Sequence, residues 1–447
     1  MRPQQQYCNS IPCETMSKQI IGVPVLPMPG GRSSIHSDVS SPSYRSEAPD
    51  VLSNATWTLQ HVDFIPKLMK TKRDEDYESF KAVVERANIW ASENKHCLIF
   101  TCETVTWTSI DKPLYTDNGL MQKSMHSDKK TKFYRGIRLW YLVLDDTFPD
   151  AEAAQNLMFI TYKDYVPQSK NDTSHLLTKI NEDVRGRQIK VSKVETLHLN
   201  QDAGDPEVTS WREQPDNSRD FVTFIRVFGF NTAAGNDATK AAPLLIRDFL
   251  PVFDQRSVHN QGYEVYGDLF KKASRWIFEN PDCKPINFQS VFIKIKKGTD
   301  DLTSTLWERC SHKEHGSAHG SLRAEKTEYL QMLRVYYSKT EEPTAKKLFY
   351  KPFSPGKLNL PYVHEDIDQL ESAFEDLRGV EQRINKWLAV SGAKVFNVET
   401  IATRLTTGGQ DTLGPEATMT SNGRERNVAR EYWKNNIRIS IEGEFKS

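Results

Sequence analysis

Val62-Asp63-Phe64-Ile65-Pro66 reads as the end of a β-strand, in which polar and apolar residues alternate until a proline, which has no N–H to give a sheet ladder, closes the run. The arrangement returns as Lys163-Asp164-Tyr165-Val166-Pro167 and as Arg247-Asp248-Phe249-Leu250-Pro251. It returns once more, with the aspartate lost, as Lys351-Pro352-Phe353-Ser354-Pro355.

Two further marks follow each occurrence in fixed order. One is a helical stretch carrying a late tryptophan and then a strand near Glu-Thr-Val. Trp90 precedes Glu103-Thr104-Val105, Trp276 precedes Gln289-Ser290-Val291, and Trp387 precedes Glu399-Thr400-Ile401. The second occurrence keeps Glu195-Thr196-Leu197 without the tryptophan, and Val184 is its nearest substitute. The other mark is a closing strand with an arginine between apolar residues: Arg138, Arg226, Arg334 and Arg438, spaced 88, 108 and 104 residues apart. That period exceeds the roughly 20–50 residues of solenoid repeats, so each occurrence is expected to be a small domain.

The fold class expected is α+β: four tandem, diverged β-α-β-β units, each a small antiparallel sheet with one covering helix, packed in pairs behind a disordered N-terminal arm. The boundaries expected are 1–54 for the arm and 55–146, 155–232, 242–338 and 345–445 for the units. The arm is rich in Pro, Ser, Gln and Gly and has too little apolar surface to offset its ordering entropy. Helical spacing marks Tyr77, Phe80, Val84, Ala87 and Ala91 in the first unit and Tyr266, Leu269, Phe270, Ala273, Trp276 and Ile277 in the third. In the fourth it runs Ile367, Leu370, Phe374, Leu377, Ile384, Trp387 and Leu388, with a break near Gly379. The second unit offers a short helix at most, ended by Gly186. Three strands and a helix make a marginal core, which is the reason to expect pairing.

The tryptophans lie on apolar helix faces and read as anchors of helix on sheet. Glu103, Glu195, Gln289 and Glu399 are matched in order by the four arginines, so cross-strand Glu–Arg pairing explains both recurrences. The competing reading makes Arg138, Arg226, Arg334 and Arg438 a repeated anion-binding face. Cys310, His312, His315 and His319 bring zinc-ligand chemistry to one polar stretch, and zinc is the only cofactor the sequence suggests. Cys97 and Cys102 read as small buried side chains.

Charge is balanced at 59 basic and 59 acidic residues, which excludes a general phosphate-backbone binder. No run approaches the ~20 apolar residues of a membrane span. Six cysteines in 447 residues form no disulfide framework, which favours a reducing, cytoplasmic setting. P-loop, GxSxG, HExxH and strand-to-helix GxGxxG motifs are absent. The residues shared between units are those a fold needs. The function expected is therefore a non-enzymatic binding or scaffold protein engaging a protein partner or an anionic ligand. The alternatives are a lectin-like or small-ligand binder using exposed aromatics, and an enzyme with a site between units.

Overall fold

Four helices and a majority of strands make the described residues a mixed α+β structure of small antiparallel sheets. The computed structural model describes residues 57–69, 76–109, 120–124, 131–144, 159–167, 173–187, 190–200, 205–212, 221–231, 242–253, 262–295, 327–343, 345–358, 374–405, 414–422 and 430–443. The expected arm lies outside them.

The strands in chain order are β1 (Trp57–Phe64), β2 (Leu68–Met69), β3 (Asp76–Tyr77), β4 (Cys97–Ser109), β5 (Leu120–Ser124), β6 (Lys132–Leu144), β7 (Phe159–Tyr165), β8 (Lys190–Asn200) and β9 (Ser210–Arg212). They continue with β10 (Phe221–Asn231), β11 (Leu244–Phe249), β12 (Cys283–Ile295), β13 (Thr327–Lys339), β14 (Leu348–Phe353), β15 (Lys394–Leu405), β16 (Met419–Asn422) and β17 (Arg430–Glu442). The helices are α1 (Phe80–Glu93), α2 (Thr173–Arg187), α3 (Tyr266–Glu279) and α4 (Leu377–Ser391).

The last strand of each set takes the centre of its sheet. Sheet 1 is ordered β1-β6-β4, sheet 2 β7-β10-β8, sheet 3 β11-β13-β12 and sheet 4 β14-β17-β15. A helix joins the first strand to the second in every case. Ser79 starts α1 by accepting from the Ala82 amide, and Asp376 starts α4 by accepting from Gly379. Gly392, at φ 63°, ends α4 in the left-handed conformation that glycine tolerates. Three sequence expectations are corrected. Helix α1 starts at Phe80, where Ser79 caps it, so Tyr77 lies before the helix on β3. Helix α4 starts at Leu377 because Asp376 caps it, so Phe374 precedes the helix, while Ile367 and Leu370 lie outside the described residues. Helix α2 is a full 15 residues and runs past Gly186, its apolar side held by Leu176, Ile180 and Val184 in the core.

A bulge interrupts the ladder at one place in each of sheets 1 to 4. Phe100, Ser192, Ile286 and Phe396 are each skipped in the register. Such an extra residue re-aims its side chain. Phe100, Ile286 and Phe396 accordingly pack into the hydrophobic cluster of a neighbouring sheet.

Packing does not stop at pairs. The cluster around α1 draws Ile160 and Phe228 from sheet 2, that around α2 draws Leu244 and Tyr336 from sheet 3, and that around α3 draws Leu348 and Phe396 from sheet 4. The cluster around α4 draws Leu59, Trp140 and Leu142 from sheet 1, so the last helix reaches back to the first sheet. Each helix thereby packs its apolar stripe against two sheets. This resolves the problem of three strands being too few for a stable core, at roughly 1.5–3 kcal/mol for each large apolar side chain fully buried. At the inner side the second strands touch in the order β4, β8, β12, β15 and again β4.

Lent strands reinforce the same order. β9 pairs with β6 of sheet 1, β16 with β13 of sheet 3, and β5, from the connection between β4 and β6, with β17 of sheet 4.

Candidate functional site

The four arginines stand in register with the glutamates on the neighbouring strand: Glu103 opposite Arg138, Glu195 opposite Arg226, Gln289 opposite Arg334 and Glu399 opposite Arg438. All four arginines are buried, with 0–2% of their surface exposed. They lie inside the body and form no exposed face.

The guanidinium's main partner lies on the other side. Arg138 donates from Nε and Nη2 to the two oxygens of Asp63 at 2.7 and 2.6 Å. Arg226 does the same with Asp164 at 2.7 Å for both bonds, and Arg334 with Asp248 at 2.7 and 2.8 Å. These are the aspartates of the strand-ending mark. The bidentate geometry is the strongest available to an arginine and carboxylate.

The remaining nitrogen, Nη1, reaches into an adjacent sheet. Arg138 donates to Thr400 at 3.0 Å, Arg226 to Thr104 at 3.3 Å, Arg334 to Thr196 at 2.7 Å and Arg438 to Ser290 at 2.6 Å. The glutamates seize the same residues. Glu103 accepts from the Thr400 amide at 2.9 Å and its hydroxyl at 2.5 Å, and Glu195 accepts from the Thr104 amide at 3.1 Å. Gln289 accepts from the Thr196 amide at 2.7 Å and returns a bond to its carbonyl at 2.9 Å. Glu399 accepts from the Ser290 amide and hydroxyl at 2.5 and 2.9 Å. The links run from sheet 1 to 4, 4 to 3, 3 to 2 and 2 to 1, which closes a circuit.

A second circuit runs the opposite way. Asn88 of α1 bonds both the N–H and the C=O of Ile160, Asn181 of α2 those of Leu244, Ser274 of α3 those of Leu348, and Asn385 of α4 those of Leu59. Each satisfies an edge-strand peptide that packing removes from water.

Linked departures keep charge in the buried circuit near balance. Sheet 3 holds Gln289 where the others hold glutamate, and sheet 4 holds Pro352 where the others hold aspartate, so each of these arginines has one acid. Sheets 1 and 2 have two acids per arginine, and there buried Lys193 lies 4.0 Å from Glu103 and 3.7 Å from Glu195. Its Nζ also donates to the Val398 carbonyl at 3.5 Å. Asn287 and Asn397 occupy the matching strand positions and bond Val194 and Phe288 across sheets.

Burial opposes ionisation of all three glutamates. At Glu195 it wins against Lys193 and the Thr104 bonds, and the carboxyl titrates above its usual range. Glu399 is likewise raised by burial, against Arg438 and the Ser290 bonds. At Glu103, burial is outweighed by Lys193, Arg138 and Thr400, which hold the carboxyl down. Cys102 is fully buried beside this cluster, and burial pushes its thiol far up; the Cys97 thiol rises to about 11 for the same reason. Both are held as thiols, the poorly nucleophilic form, at neutral pH.

The tryptophans anchor the helices as expected of their spacing. Trp90 packs edge-on to Phe64 with ring centroids 6.1 Å apart, Trp276 to Phe249 at 6.0 Å, and Trp387 against Phe353 at 5.6 Å. These are the aromatics of the strand-ending mark. In sheet 2 the place is taken by Asp183, ion-paired with Lys163, and not by Val184, which is a core residue of α2. Arg247 and Lys351, which precede the mark in sheets 3 and 4, lie over the Trp276 and Trp387 rings.

Sequence reasoning missed the asparagines, Lys193 and the role of the aspartates. The signal was present: Asn88 and Asn385 each stand two residues before a helix tryptophan. It also missed Glu207 and Glu416. Each caps a helix of the preceding sheet, accepting from the Lys81 amide at 2.8 Å and the Gly267 amide at 2.9 Å. Both lie in a Pro-Glu-x-Thr sequence, whose threonine hydroxyl donates to the backbone carbonyl of Glu78 or Glu264.

Cys310, His312, His315 and His319 lie outside the described residues. Among the described residues no group of three or more His, Cys, Asp or Glu is placed to hold a metal ion. No described helix is long and apolar enough to cross a membrane. Compared with protein-family models, curated proteins and solved structures, the chain matches none.

Proposed function

We propose that the body is four diverged copies of one β-α-β-β unit, at 55–146, 155–232, 242–338 and 345–445, acting as a non-enzymatic scaffold for a protein partner or an anionic ligand. One observation carries the reading: the residues that recur are the buried ones that bond sheet to sheet. Selection on them is selection on closure of the body. A recognition surface must then come from the parts that vary.

The ends of the units offer such parts. After Pro66, Pro251 and Pro355, each itself buried, the chain turns outward and exposes Leu68 and Met69, Val252 and Phe253, and Leu358, each 42–57% accessible. Large apolar side chains exposed at corresponding places suit a protein interface. Photo-crosslinkers placed at Leu68 and Phe253 of the full chain, with one at the 90% exposed Val390 as control, test it. A shared adduct from the first two and none from the control supports the scaffold. Stabilisation by a sugar or nucleotide, with no adduct, would replace it by the small-ligand reading.

A further inference from the structure

Three of the four buried arginines spend their Nε–Nη2 edge on an aspartate, whereas Arg438 faces Pro352, its register partner on β14. Arg438 is 2% exposed. Its Nη1 donates to Ser290, its Nη2 to the Pro415 carbonyl, and its Nε has no hydrogen-bond partner. The carboxylate of Glu399 lies 3.9 Å away, from Oε2 to Nη1, on the other side of the guanidinium from the unpartnered Nε. Tyr266 lies against the plane, 3.4 Å from guanidinium carbon to ring centroid.

The counterpart in sheet 2 shows what that edge does when supplied. Arg226 stacks on Phe80 at 3.5 Å and donates from Nη2 to the Pro206 carbonyl at 3.4 Å, yet the same edge also takes both oxygens of Asp164. The carbonyl contact and the bidentate acid are therefore compatible. Pro352 removes the acid and keeps the rest.

We propose that the Nε–Nη2 edge of Arg438 is a binding site for a small monoanion, a halide or a one-carbon carboxylate, which supplies the charge that aspartate supplies in the other three sheets. A buried guanidinium edge selects by charge and size. It takes a single negative charge that shares two N–H donors, beside Pro352 and under the Tyr266 ring that covers the guanidinium plane. A scaffold without any protein partner would still bind the anion, so the outcome here is independent of the crosslinking result above.

The test is thermal unfolding of the full chain at constant ionic strength, with sodium chloride or sodium formate replacing sodium gluconate in steps. An anion that binds only the native state raises the midpoint in proportion to the logarithm of its concentration once that exceeds the dissociation constant. The wild type is expected to show that rise, and Pro352→Asp is expected to lose it while melting higher than wild type in gluconate. Equal midpoints in all three salts, or an unchanged anion response in Pro352→Asp, would overturn the proposal. Should Pro352→Asp fail to fold, crystals of the wild type soaked in bromide decide it: an anomalous peak within hydrogen-bond reach of Arg438 Nε supports the site, and its absence refutes it.

Discussion

Replacing Lys193 by methionine keeps the side chain's length and removes its charge from between Glu103 and Glu195. At about 4 Å and an effective dielectric near 20, one such contact is worth about 4 kcal/mol. Breaking a buried ion pair from one side costs about 3–5 kcal/mol, because the partner charge stays behind. Lys193 serves two carboxylates, but Arg138 and Arg226 remain, so a loss of about 3–5 kcal/mol is expected near neutral pH. Burial already holds the Glu195 carboxyl above its usual range, and without Lys193 it rises further. Folding then takes up protons between the unfolded value of about 4.3 and the raised native one, and stability falls as pH climbs through that window. The penalty is therefore largest at about pH 7 and shrinks as pH falls toward about 4, where a neutral carboxyl needs no counter-charge. Urea unfolding of wild type and Lys193→Met at both pH values measures it. A loss under about 1 kcal/mol at neutral pH, or one of equal size at both, would refute the charge balance described.

Other consequences are open to the same methods. Asp164→Asn leaves Arg226 buried without its carboxylate and should cost about 3–5 kcal/mol in denaturant unfolding. Asn385→Ala strips both partners from the buried Leu59 peptide, at about 1–3 kcal/mol for each orphaned group, and should raise hydrogen exchange at the Leu59 amide more than at amides of sheet 3. Cys97 and Cys102 should resist thiol reagents at about pH 8 until the chain unfolds, as read by peptide mapping, since burial raises both thiols.

The strand ends, the helices and the order of marks were legible because each rests on local chemistry: a proline that stops a ladder, apolar spacing on a helix, an arginine flanked by β-formers. The register of glutamate with arginine was legible for the same reason, since two recurrences at steady spacing fix which residues oppose. What the arginine bonds was not. Asp63, Asp164 and Asp248 stood in the quoted sequences, but their partner lies on the strand closest in space and not next in the chain. Closure of sheet 4 onto sheet 1 was hidden for a related reason. Leu59 and Asn385 are 326 residues apart, and no periodicity joins them. Lys193 carries no mark in the sequence, because its meaning depends on two glutamates from different sheets. The short helix expected in the second unit came from reading Gly186 as its end, whereas the helix begins at Thr173 and runs past that glycine, with Asp183 and Lys163 forming an ion pair where the other helices carry a tryptophan or its contact.

The central claim is that residues far apart in sequence hold the first and last sheets together through the buried polar circuit. A double-mutant cycle on Glu103→Met and Thr400→Val, whose side chains meet through the Thr400 hydroxyl bond across 297 residues, addresses it directly. The circuit predicts an interaction energy of about 1–3 kcal/mol between the two substitutions. Additivity within about 0.5 kcal/mol would mean that the two sites do not meet in solution and would contradict the closed body.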